Sequence, residues 1–360
     1  MKPIFALLAG AAVVIAAGCG DDDDDSALQQ DEATRQAETP AAEPTSAATE
    51  EEATTPAPEV TPELPALQEY AVPAGSHPHD VAVTEDGLVW YTGQRSADMG
   101  LLDPATGDIQ RIPLGAGAAP HGVIVGPDGA AWITDMGLNA IVRVDGETYE
   151  VTSYPLDQPD AGPHTGVFAP DGTLWFTASA GYIGRMDTET GAIELFDAPR
   201  GNGPYGITAT PGGDIYFASL AQSYVGRVDP VTGEITVLEP PTPGQGARRV
   251  WSDSEGRIWV SEWNAGQLAR YDPADGSWQE WKLPGNAPMA YAVYVDEDDI
   301  VWLSDFGGDS IWSFDPATEE FTQYALPTAQ GRVRQILGRA GEIWGAESAV
   351  DKLLVIRTAG

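Results

Sequence analysis

Short apolar runs alternate with turn residues along most of the chain, and the pattern recurs at a nearly constant spacing. An aromatic residue follows each Asp-Gly-type turn, as in Gly126-Pro127-Asp128-Gly129 before Trp132. The seven aromatics are Trp90, Trp132, Trp175, Tyr216, Trp259, Trp302 and Trp344, with separations of 42, 43, 41, 43, 43 and 42 residues. A period of about 40 to 45 residues, with short strands and no helical stretch, is typical of propeller blades of four antiparallel strands.

The repeat over residues 162–199 predicts a complete blade. Its strands are expected at 166–169, 174–177, 183–186 and 192–197, each bounded by Gly, Pro or Asp. Alternating apolar and polar positions between such residues favour strands over helices. Residues 67–360 provide 42 residues for each of seven repeats. We therefore predict an all-β fold, a seven-bladed β-propeller of four-stranded antiparallel blades over 67–360.

The last repeat predicts how the ring closes. After Trp344 the sequence offers a third strand at 352–357 and no segment for a fourth. The missing strand is expected at 67–73, whose sequence LQEYAVP is similar to FTQYALP at 321–327. The N-terminal strand would then complete the last blade, which leaves no unpaired strand edge between the first and last repeats.

The first 66 residues predict an export signal followed by a tether. Residues 1–19 combine Lys2, an apolar run and small residues before Cys19, which is typical of an export signal. The Ala16-Ala17-Gly18-Cys19 sequence resembles a bacterial lipobox, so we expect Cys19 to be lipidated, with an ordinary secretory signal or a simple membrane anchor as the alternatives. Residues 20–66 form an acidic tract rich in Ala, Thr, Glu and Pro, predicted to be disordered because it has little apolar surface to bury.

Charge narrows the choice of partners. The chain carries 18 Lys and Arg against 55 Asp and Glu, a formal net charge of −37, and residues 67–360 still carry 16 against 41. This balance argues against a nucleic-acid partner, because phosphate binding needs the opposite sign. The single cysteine excludes an internal disulfide framework. No zinc-ligand spacing, Walker loop or Gly-x-Ser-x-Gly motif occurs.

Candidate chemistry lies at two positions of the repeat. Eleven residues before the aromatics stand His79, His121, His164, Tyr205, Arg248, Tyr291 and Val333. Three residues after the aromatics stand Gly93, Asp135, Ala178, Ser219, Glu262, Asp305 and Glu347. Two antiparallel strands joined by a tight turn bring these positions to the same rim of the central channel. We therefore expect a ligand at this channel mouth.

Three facing pairs follow from this register. His121 is expected to face Asp135, which would orient the imidazole and raise its basicity. Arg248 would face Glu262, and Arg334 would lie near Glu347. Two other interpretations stay open: duplication of an ancestral blade copies its histidine, and the Arg248–Glu262 pair can be purely structural, since channel charges need partners.

The repeated elements resemble the virginiamycin B lyase (streptogramin lyase) family. The motifs are Gly162-Pro163-His164, Trp175-Phe176-Thr177 and Ile183-Gly184-Arg185, and related motifs occur in all seven repeats. The resemblance implies a seven-bladed propeller that opens a cyclic depsipeptide by breaking an ester C–O bond through elimination, with Mg²⁺ assisting. It also implies a Pro-His histidine as general base beside a second such histidine and two glutamates.

Carried onto this sequence, the resemblance makes His121, His164 and Asp135 the candidate catalytic residues. In this family a glutamate precedes Pro-His, whereas here the preceding residues are His77, Ala119 and Gly162. The candidate ligand-binding residues are His79, Tyr205, Arg248, Glu262, Tyr291, Asp305, Arg334 and Glu347, and no metal ligands are assigned.

Two functional hypotheses therefore remain. The first is a lyase-like propeller that acts on a cyclic depsipeptide or a related lactone. The second is a non-catalytic propeller on the cell surface that binds a small molecule, a peptide, a glycan or a protein at the channel mouth. In either case we expect a monomeric bacterial lipoprotein exported to the cell envelope, in contact with the membrane only through its lipid anchor.

Overall fold

The computed structural model describes residues 67–358 and consists there of seven four-stranded antiparallel sheets. Residues 1–66 and 359–360, which include the predicted signal, the tether and Cys19, lie outside the described residues. Within the described part, no helix has the length and hydropathy to cross a bilayer. The predicted all-β, seven-bladed propeller is confirmed.

The strands follow the chain blade by blade. The opening strand and the first three blades contain β1 (Leu67–Ala71), β2 (Pro78–Val83), β3 (Val89–Gly93), β4 (Asp98–Leu102), β5 (Ile109–Pro113), β6 (Pro120–Val125), β7 (Ala131–Asp135), β8 (Ala140–Val144), β9 (Val151–Pro155), β10 (Pro163–Phe168), β11 (Leu174–Ala178), β12 (Tyr182–Met186) and β13 (Ile193–Asp197).

The other four blades are built in the same order. They contain β14 (Pro204–Ala209), β15 (Ile215–Ser219), β16 (Tyr224–Val228), β17 (Ile235–Leu238), β18 (Ala247–Ser252), β19 (Ile258–Glu262), β20 (Gln267–Asp272), β21 (Ser277–Lys282), β22 (Ala290–Val295), β23 (Val301–Asp305), β24 (Ser310–Asp315), β25 (Glu320–Ala325), β26 (Val333–Arg339), β27 (Glu342–Glu347) and β28 (Lys352–Arg357).

The N-terminal strand closes the ring. β1 pairs antiparallel with β28, from Leu67 opposite Ile356 to Ala71 opposite Lys352. The first strands of neighbouring blades contact one another around the channel, and β26 contacts β2. Closure by the N-terminal strand is therefore consistent with the observed sheet order β1-β28-β27-β26.

The repeated aromatics lie on the second strand of each blade and form the core. Trp175, Trp259 and Trp344 are at most 1% exposed. Trp344 stacks on Tyr70 of β1 with ring centroids 5.6 Å apart, as Trp132 stacks on Tyr154 within its own blade. Replacing a buried tryptophan by alanine costs about 3 to 5 kcal/mol of folding stability, so these positions hold the blades together.

Every blade has a β-bulge at the start of its first strand. In the first blade Pro78 pairs with Gly93 and the register resumes at Val81 and Tyr91, so two residues, 79 and 80, share the bulge. All seven first-strand ladders shift register at this place. A bulge re-aims side chains locally, and here it turns one side chain from each blade toward the channel mouth.

Candidate functional site

Seven side chains, one from each bulge, form a ring at the channel mouth. They are His79, His121, His164, Tyr205, Arg248, Tyr291 and Arg334. In the seventh blade Val333 pairs with Glu347 as Pro120 pairs with Asp135, which puts Arg334 in the histidine position. The sequence pattern placed Val333 at the histidine position of this blade, which is wrong by one residue. The cause is the shorter connection, since only two residues join β26 to β27, whereas five join β6 to β7.

Three imidazoles lie in a row along one side of the mouth, with neighbouring rings tilted by 44° and 43°. The ring centroids of His79 and His121 are 3.8 Å apart, as are those of His121 and His164. Tyr205 continues the row at 3.8 Å from His164. Burial lowers the pKa of all three histidines well below 6.5, and neighbouring imidazoles and arginines lower it further. At pH 7 the row is therefore neutral.

The hydrogen bond of His121 fixes which ring nitrogen carries its proton. Its Nδ1 lies 2.9 Å from the main-chain carbonyl oxygen of His164. A carbonyl only accepts, so Nδ1 of His121 must donate. In a neutral ring the lone pair then lies on Nε2, so this nitrogen is the one that can accept a proton.

The hydrogen bond of His164 allows the opposite tautomer. Its Nδ1 lies 2.9 Å from the hydroxyl oxygen of Thr165, and that oxygen accepts from Nη1 of Arg249 at 2.8 Å. The Thr165 hydroxyl can therefore donate its own hydrogen to His164 Nδ1, which leaves the proton of the neutral ring on Nε2. The row can thus combine a base at His121 with a proton donor at His164.

Threonines of the second strands hold the histidines in place. The Thr134 hydroxyl accepts from the amide of Gly122 at 3.0 Å and donates to the carbonyl of His164 at 2.6 Å. Thr92 makes the same bridge from the amide of Asp80 to the carbonyl of His121. A Cβ on Gly122 would lie 2.7 Å from the His164 carbonyl oxygen, so only glycine permits this approach.

Asp80 and Arg249 form a buried ion pair beneath the row. Arg249 Nη2 lies 3.3 Å from Asp80 Oδ1, and that oxygen is also 2.8 Å from Nδ1 of His79. Thr165 lies beside them and Gln335 occupies the same position in the seventh blade. These side chains line a channel cavity of about 280 Å³ whose other lining residues are mainly apolar.

The sequence reasoning missed the Asp80–Arg249 pair. The residue after the ring position varies as Asp80, Gly122, Thr165, Gly206, Arg249, Ala292 and Gln335. The sequence does contain a signal for this ion pair, because one acidic and one basic residue occupy the same repeat position. It was hidden because strand alternation predicts that adjacent residues face opposite sides, whereas the bulge brings both to the channel.

An aromatic cage surrounds Arg248 on the other side of the mouth. Its guanidinium carbon lies 3.7 Å from the ring centroid of Tyr291, 4.4 Å from Tyr205 and 4.6 Å from Trp263. Nη2 of Arg248 donates to the Tyr205 hydroxyl at 2.6 Å, and the Tyr205 and Tyr291 oxygens are 2.8 Å apart. Arg334 Nε donates to Ser348 Oγ at 2.9 Å.

The predicted pairing of His121 with Asp135 is not observed. Asp135 Oδ1 accepts from the main-chain amides of Ala119 and Leu138, both at 2.9 Å, while its Oδ2 has no hydrogen-bond partner. Asp135 pairs with Pro120 rather than His121, and the bulge turns His121 away from it. Asp305 likewise accepts from the amides of Met289 and Gly307. These carboxylates order the rim loops.

Glu262 and Glu347 are fully buried acids within their own blades. Glu262 accepts a hydrogen bond from Gln267 rather than from Arg248, which corrects the predicted pairing. Arg334 lies near Glu347 as predicted, since Val333 pairs with Glu347 and Arg334 donates to Ser348. The charges that shift the pKa of Glu347 are those of Glu69, Lys352 and Asp309. Burial raises the pKa of each glutamate to about 8. Both are therefore largely uncharged at pH 7, and whether they contact a ligand stays a prediction.

The residues at the mouth do not fit Mg²⁺. Among the described residues, His79, Asp80 and His121 have ligand atoms within 4.8 Å of one another. Mg²⁺ prefers oxygen ligands, whereas two of these three are nitrogens. The carboxylate is also engaged by Arg249, and Arg249 and Arg334 bring positive charge to both histidines. We therefore assign none of these three residues as a ligand of the Mg²⁺ that the family resemblance implies.

The fold and the site together define a seven-bladed propeller with imidazoles, phenols and guanidiniums at one channel mouth. The model of the virginiamycin B lyase family matches residues 65–356. The chain belongs to that family. No curated protein matches it significantly.

Solved structures with the same fold include enzymes and a peptide-binding protein. Virginiamycin B lyase from Staphylococcus aureus is 23% identical with a TM-score of 0.77, covering 82% of this chain and 99% of its own. A catalytically inactive histidine-to-alanine variant of that enzyme, solved with quinupristin, is 23% identical with a TM-score of 0.76, and the match covers 82% of this chain and 99% of the variant. YCF48 bound to the D1 peptide is 16% identical with a TM-score of 0.66, and the match covers 82% of this chain and 98% of YCF48.

Proposed function

We propose that this chain is a carbon–oxygen lyase that opens a cyclic depsipeptide or a related lactone by elimination at the channel mouth. The observation that carries the proposal is the hydrogen bond from His121 Nδ1 to the His164 carbonyl. It leaves a lone pair on Nε2 of a neutral imidazole, which is the form needed to remove a proton. Family membership supports the same reaction class.

The reaction can be written with the residues of the row. His121 Nε2 takes the proton from the carbon next to a carbonyl. The C–H electron pair forms a C=C bond as the neighbouring C–O bond breaks, and the ester oxygen leaves as a carboxylate. His164, in its Nε2–H form, can hydrogen-bond or protonate that oxygen. We route no step through Mg²⁺, because the donor set does not suit that ion.

Turnover assays test the proposal. The purified protein would be incubated with quinupristin, other cyclic depsipeptides and simple lactones, and the products separated by chromatography. We expect ring opening of at least one substrate, and loss of about 100- to 10,000-fold in rate on His121→Ala, the usual contribution of a general base. His77→Ala is the control, since His77 lies outside the row. Absence of turnover, or full activity of His121→Ala, would contradict the proposal.

The alternative is a binding propeller without catalysis. It is favoured by the burial of the histidine row at 4% exposure or less and by the Asp80–Arg249 pair across the channel. The fold also serves YCF48, which was solved with a bound peptide. Binding of a depsipeptide that is recovered unchanged by both wild type and His121→Ala would support this alternative.

We also propose export and lipidation at Cys19, on the sequence pattern of residues 1–19 alone. Acylation with two or more chains holds a protein on a membrane, whereas one chain anchors it only marginally. The expected result is that Cys19→Ala moves the protein from the membrane fraction to the soluble fraction. Membrane association that persists in this variant would indicate another anchor.

A further inference from the structure

We propose that the central channel of the propeller contains a second binding site, for a small neutral molecule with an apolar body and a primary amide head group. The site is the cavity of about 280 Å³ that Asp80 and Arg249 help to line. First strands of all seven blades contribute to it, in each case with residues C-terminal to the ring position at the mouth. The proposal is independent of the lyase function, because it concerns different side chains.

The repeat position after the ring determines which polar groups this cavity contains. In the second, fourth and sixth blades that position holds a small residue, Gly122, Gly206 or Ala292. In the other four blades it holds a larger polar residue, and all four line the cavity: Asp80, Thr165, Arg249 and Gln335. Because small residues alternate with large ones, the four polar side chains reach into the channel and still leave a cavity beside them.

Two buried polar atoms of this group have no hydrogen-bond partner among the described residues. One is Nε of Arg249, a donor, and the other is the side-chain oxygen of Gln335, an acceptor. Arg249 is 2% exposed and Gln335 is 5% exposed. Buried polar atoms are normally paired, because leaving them unpaired destabilises the protein. A ligand group that accepts from Arg249 and donates to Gln335 would therefore bind favourably, and a primary amide does both.

The charges at this end of the cavity favour a neutral head group. Arg249 Nη2 and Asp80 Oδ1 form an ion pair at 3.3 Å, so each of these charges already has an opposite partner. Arg249 also donates from Nη1 to the Thr165 hydroxyl at 2.8 Å. A charged ligand would lose its hydration here without gaining an opposite charge of its own. An amide has no net charge and keeps its hydrogen bonds.

The rest of the lining is mainly apolar and sets the body and size of the ligand. Val123, Ile207 and Val250 line the cavity and are each 2% exposed. Contact with them removes the apolar surface of a ligand from water, which favours binding. A cavity of roughly 150 Å³ holds benzene, so a cavity of about 280 Å³ has room for roughly ten to twelve non-hydrogen atoms.

The ligand can enter at the end of the channel opposite the ring. Val83, Val125 and Phe168, at the C-terminal ends of their first strands, line the cavity and are half-buried. Trp251 and Tyr294 lie at the same end, with ring centroids 5.0 Å apart. The exposure of the lining thus increases from the polar residues toward this end, and aromatic rings there can cover the apolar body.

Calorimetric titration of the full-length protein with 3-phenylpropanamide tests the site. This probe has a primary amide, an aromatic body and a size within the range given above. We expect it to bind at millimolar concentration or below. The carboxylate of the same size, 3-phenylpropanoate, should bind about tenfold more weakly or worse, because its charge has no unpaired counterpart in the cavity.

Two variants locate the bound probe. Gln335→Met removes the amide and keeps the length of the side chain, so we expect it to weaken binding by about three- to tenfold, the contribution of one neutral hydrogen bond. Gln110→Met, at an exposed position of β5, is the matched control and should bind as wild type does. Ala82→Leu adds volume to the lining of the cavity and should weaken binding further than Gln335→Met does.

Three results would overturn the site. They are no binding of 3-phenylpropanamide by wild type at millimolar concentration, equal affinity for the amide and the carboxylate, and wild-type affinity for the amide in Gln335→Met. If Ala82→Leu does not fold, Gln335→Met and its control decide. These titrations do not involve turnover, so a failure of the lyase function would leave the cavity site standing, and a failure of the site would leave the lyase function untouched.

Discussion

At the residue scale, the chemistry of each imidazole in the mouth depends on what its Nδ1 contacts. His121 contacts a carbonyl, His164 a hydroxyl and His79 a carboxylate. His79 and His121 therefore carry the proton of the neutral ring on Nδ1, whereas His164, which faces a hydroxyl, can carry it on Nε2. The repeat provides the frame, and single substitutions at the next residue, such as Asp80 and Thr165, make the three positions unequal.

The pH dependence of turnover follows from the burial of the histidine row. Burial first, and then the charges of His79 and the arginines, lower the pKa of His121 well below 6.5. The base form therefore persists as the pH falls through 6.5. We expect kcat/KM to stay constant as the pH falls through 6.5 and to decline only at lower pH, where the ring becomes protonated. A decline of kcat/KM centred at pH 6.5 or above would contradict this account.

Glu347 makes stability depend on pH in the opposite sense from a salt-bridged acid. Its folded pKa is raised to about 8 from 4.5, so the folded protein binds more protons than the unfolded protein between these values. Stability therefore falls as pH rises from 4.5 to 8. Glu347→Gln removes the charge, and we expect its Tm to exceed that of wild type by roughly 5 °C more at pH 9 than at pH 5.

Calorimetric scans at pH 5 and pH 9 measure this difference, with the exposed Glu85→Gln as the control. Any effect of the buried amide on Tm that does not depend on pH is the same at both pH values, so it cancels in the difference. An offset between Glu347→Gln and wild type that is the same at both pH values would show that Glu347 does not titrate in this range.

At the element scale, the bulge and the second-strand hydroxyl act together. The bulge aims one side chain of each blade at the channel, and the hydroxyl of Thr134 ties the bulged Gly122 amide to the next blade at the His164 carbonyl. Blade-to-blade contact and the orientation of the histidines are therefore maintained by the same hydrogen bonds. The threonine at the end of Trp132-Ile133-Thr134 and of Trp175-Phe176-Thr177 thus has a structural role that its repetition alone did not reveal.

Thr134→Val tests this bridge. The change keeps the shape of the side chain but leaves the Gly122 amide and the His164 carbonyl without the hydroxyl. We expect a loss of about 1 to 3 kcal/mol in the free energy of unfolding, the cost of an unsatisfied buried polar group. Thr134→Ser keeps the hydroxyl and should lose less. Urea unfolding measures both, and equal losses for the two variants would count against the bridge.

The sequence was sufficient for the strands and their order, because period-two patterns and turn residues are local signals. Residues 183–186 and 352–357 were predicted as strands and are observed in β12 and β28. The sequence was also sufficient to place the side chain that joins the ring at the channel mouth in six of the seven blades. The predicted His121–Asp135 and Arg248–Glu262 pairs are wrong because the bulge changes which side chains share a face. The contact of Arg249 with Asp80 joins positions 169 residues apart, which no repeat count can place.

At the scale of the whole molecule, the closed ring depends on β1. This strand contributes five residue pairs with β28 and stacks Tyr70 on Trp344. Deleting residues 67–73 should expose the edge of β28 and the core beneath it, so we expect insoluble protein or a Tm lower by more than roughly 10 °C. Deleting residues 40–46 is the control of equal length. A Tm equal to that of wild type after the first deletion would contradict closure by this strand.

The central claim is that this propeller eliminates rather than hydrolyses, with His121 as the base. Mass spectrometry of quinupristin, or of any depsipeptide or lactone that turns over, in water enriched in ¹⁸O tests it most directly. Elimination gives an unsaturated, ring-opened product with the mass of the substrate and no ¹⁸O, and His121→Ala should not form it. A product that has gained water with its label, or an unsaturated product formed equally by His121→Ala, would contradict the account.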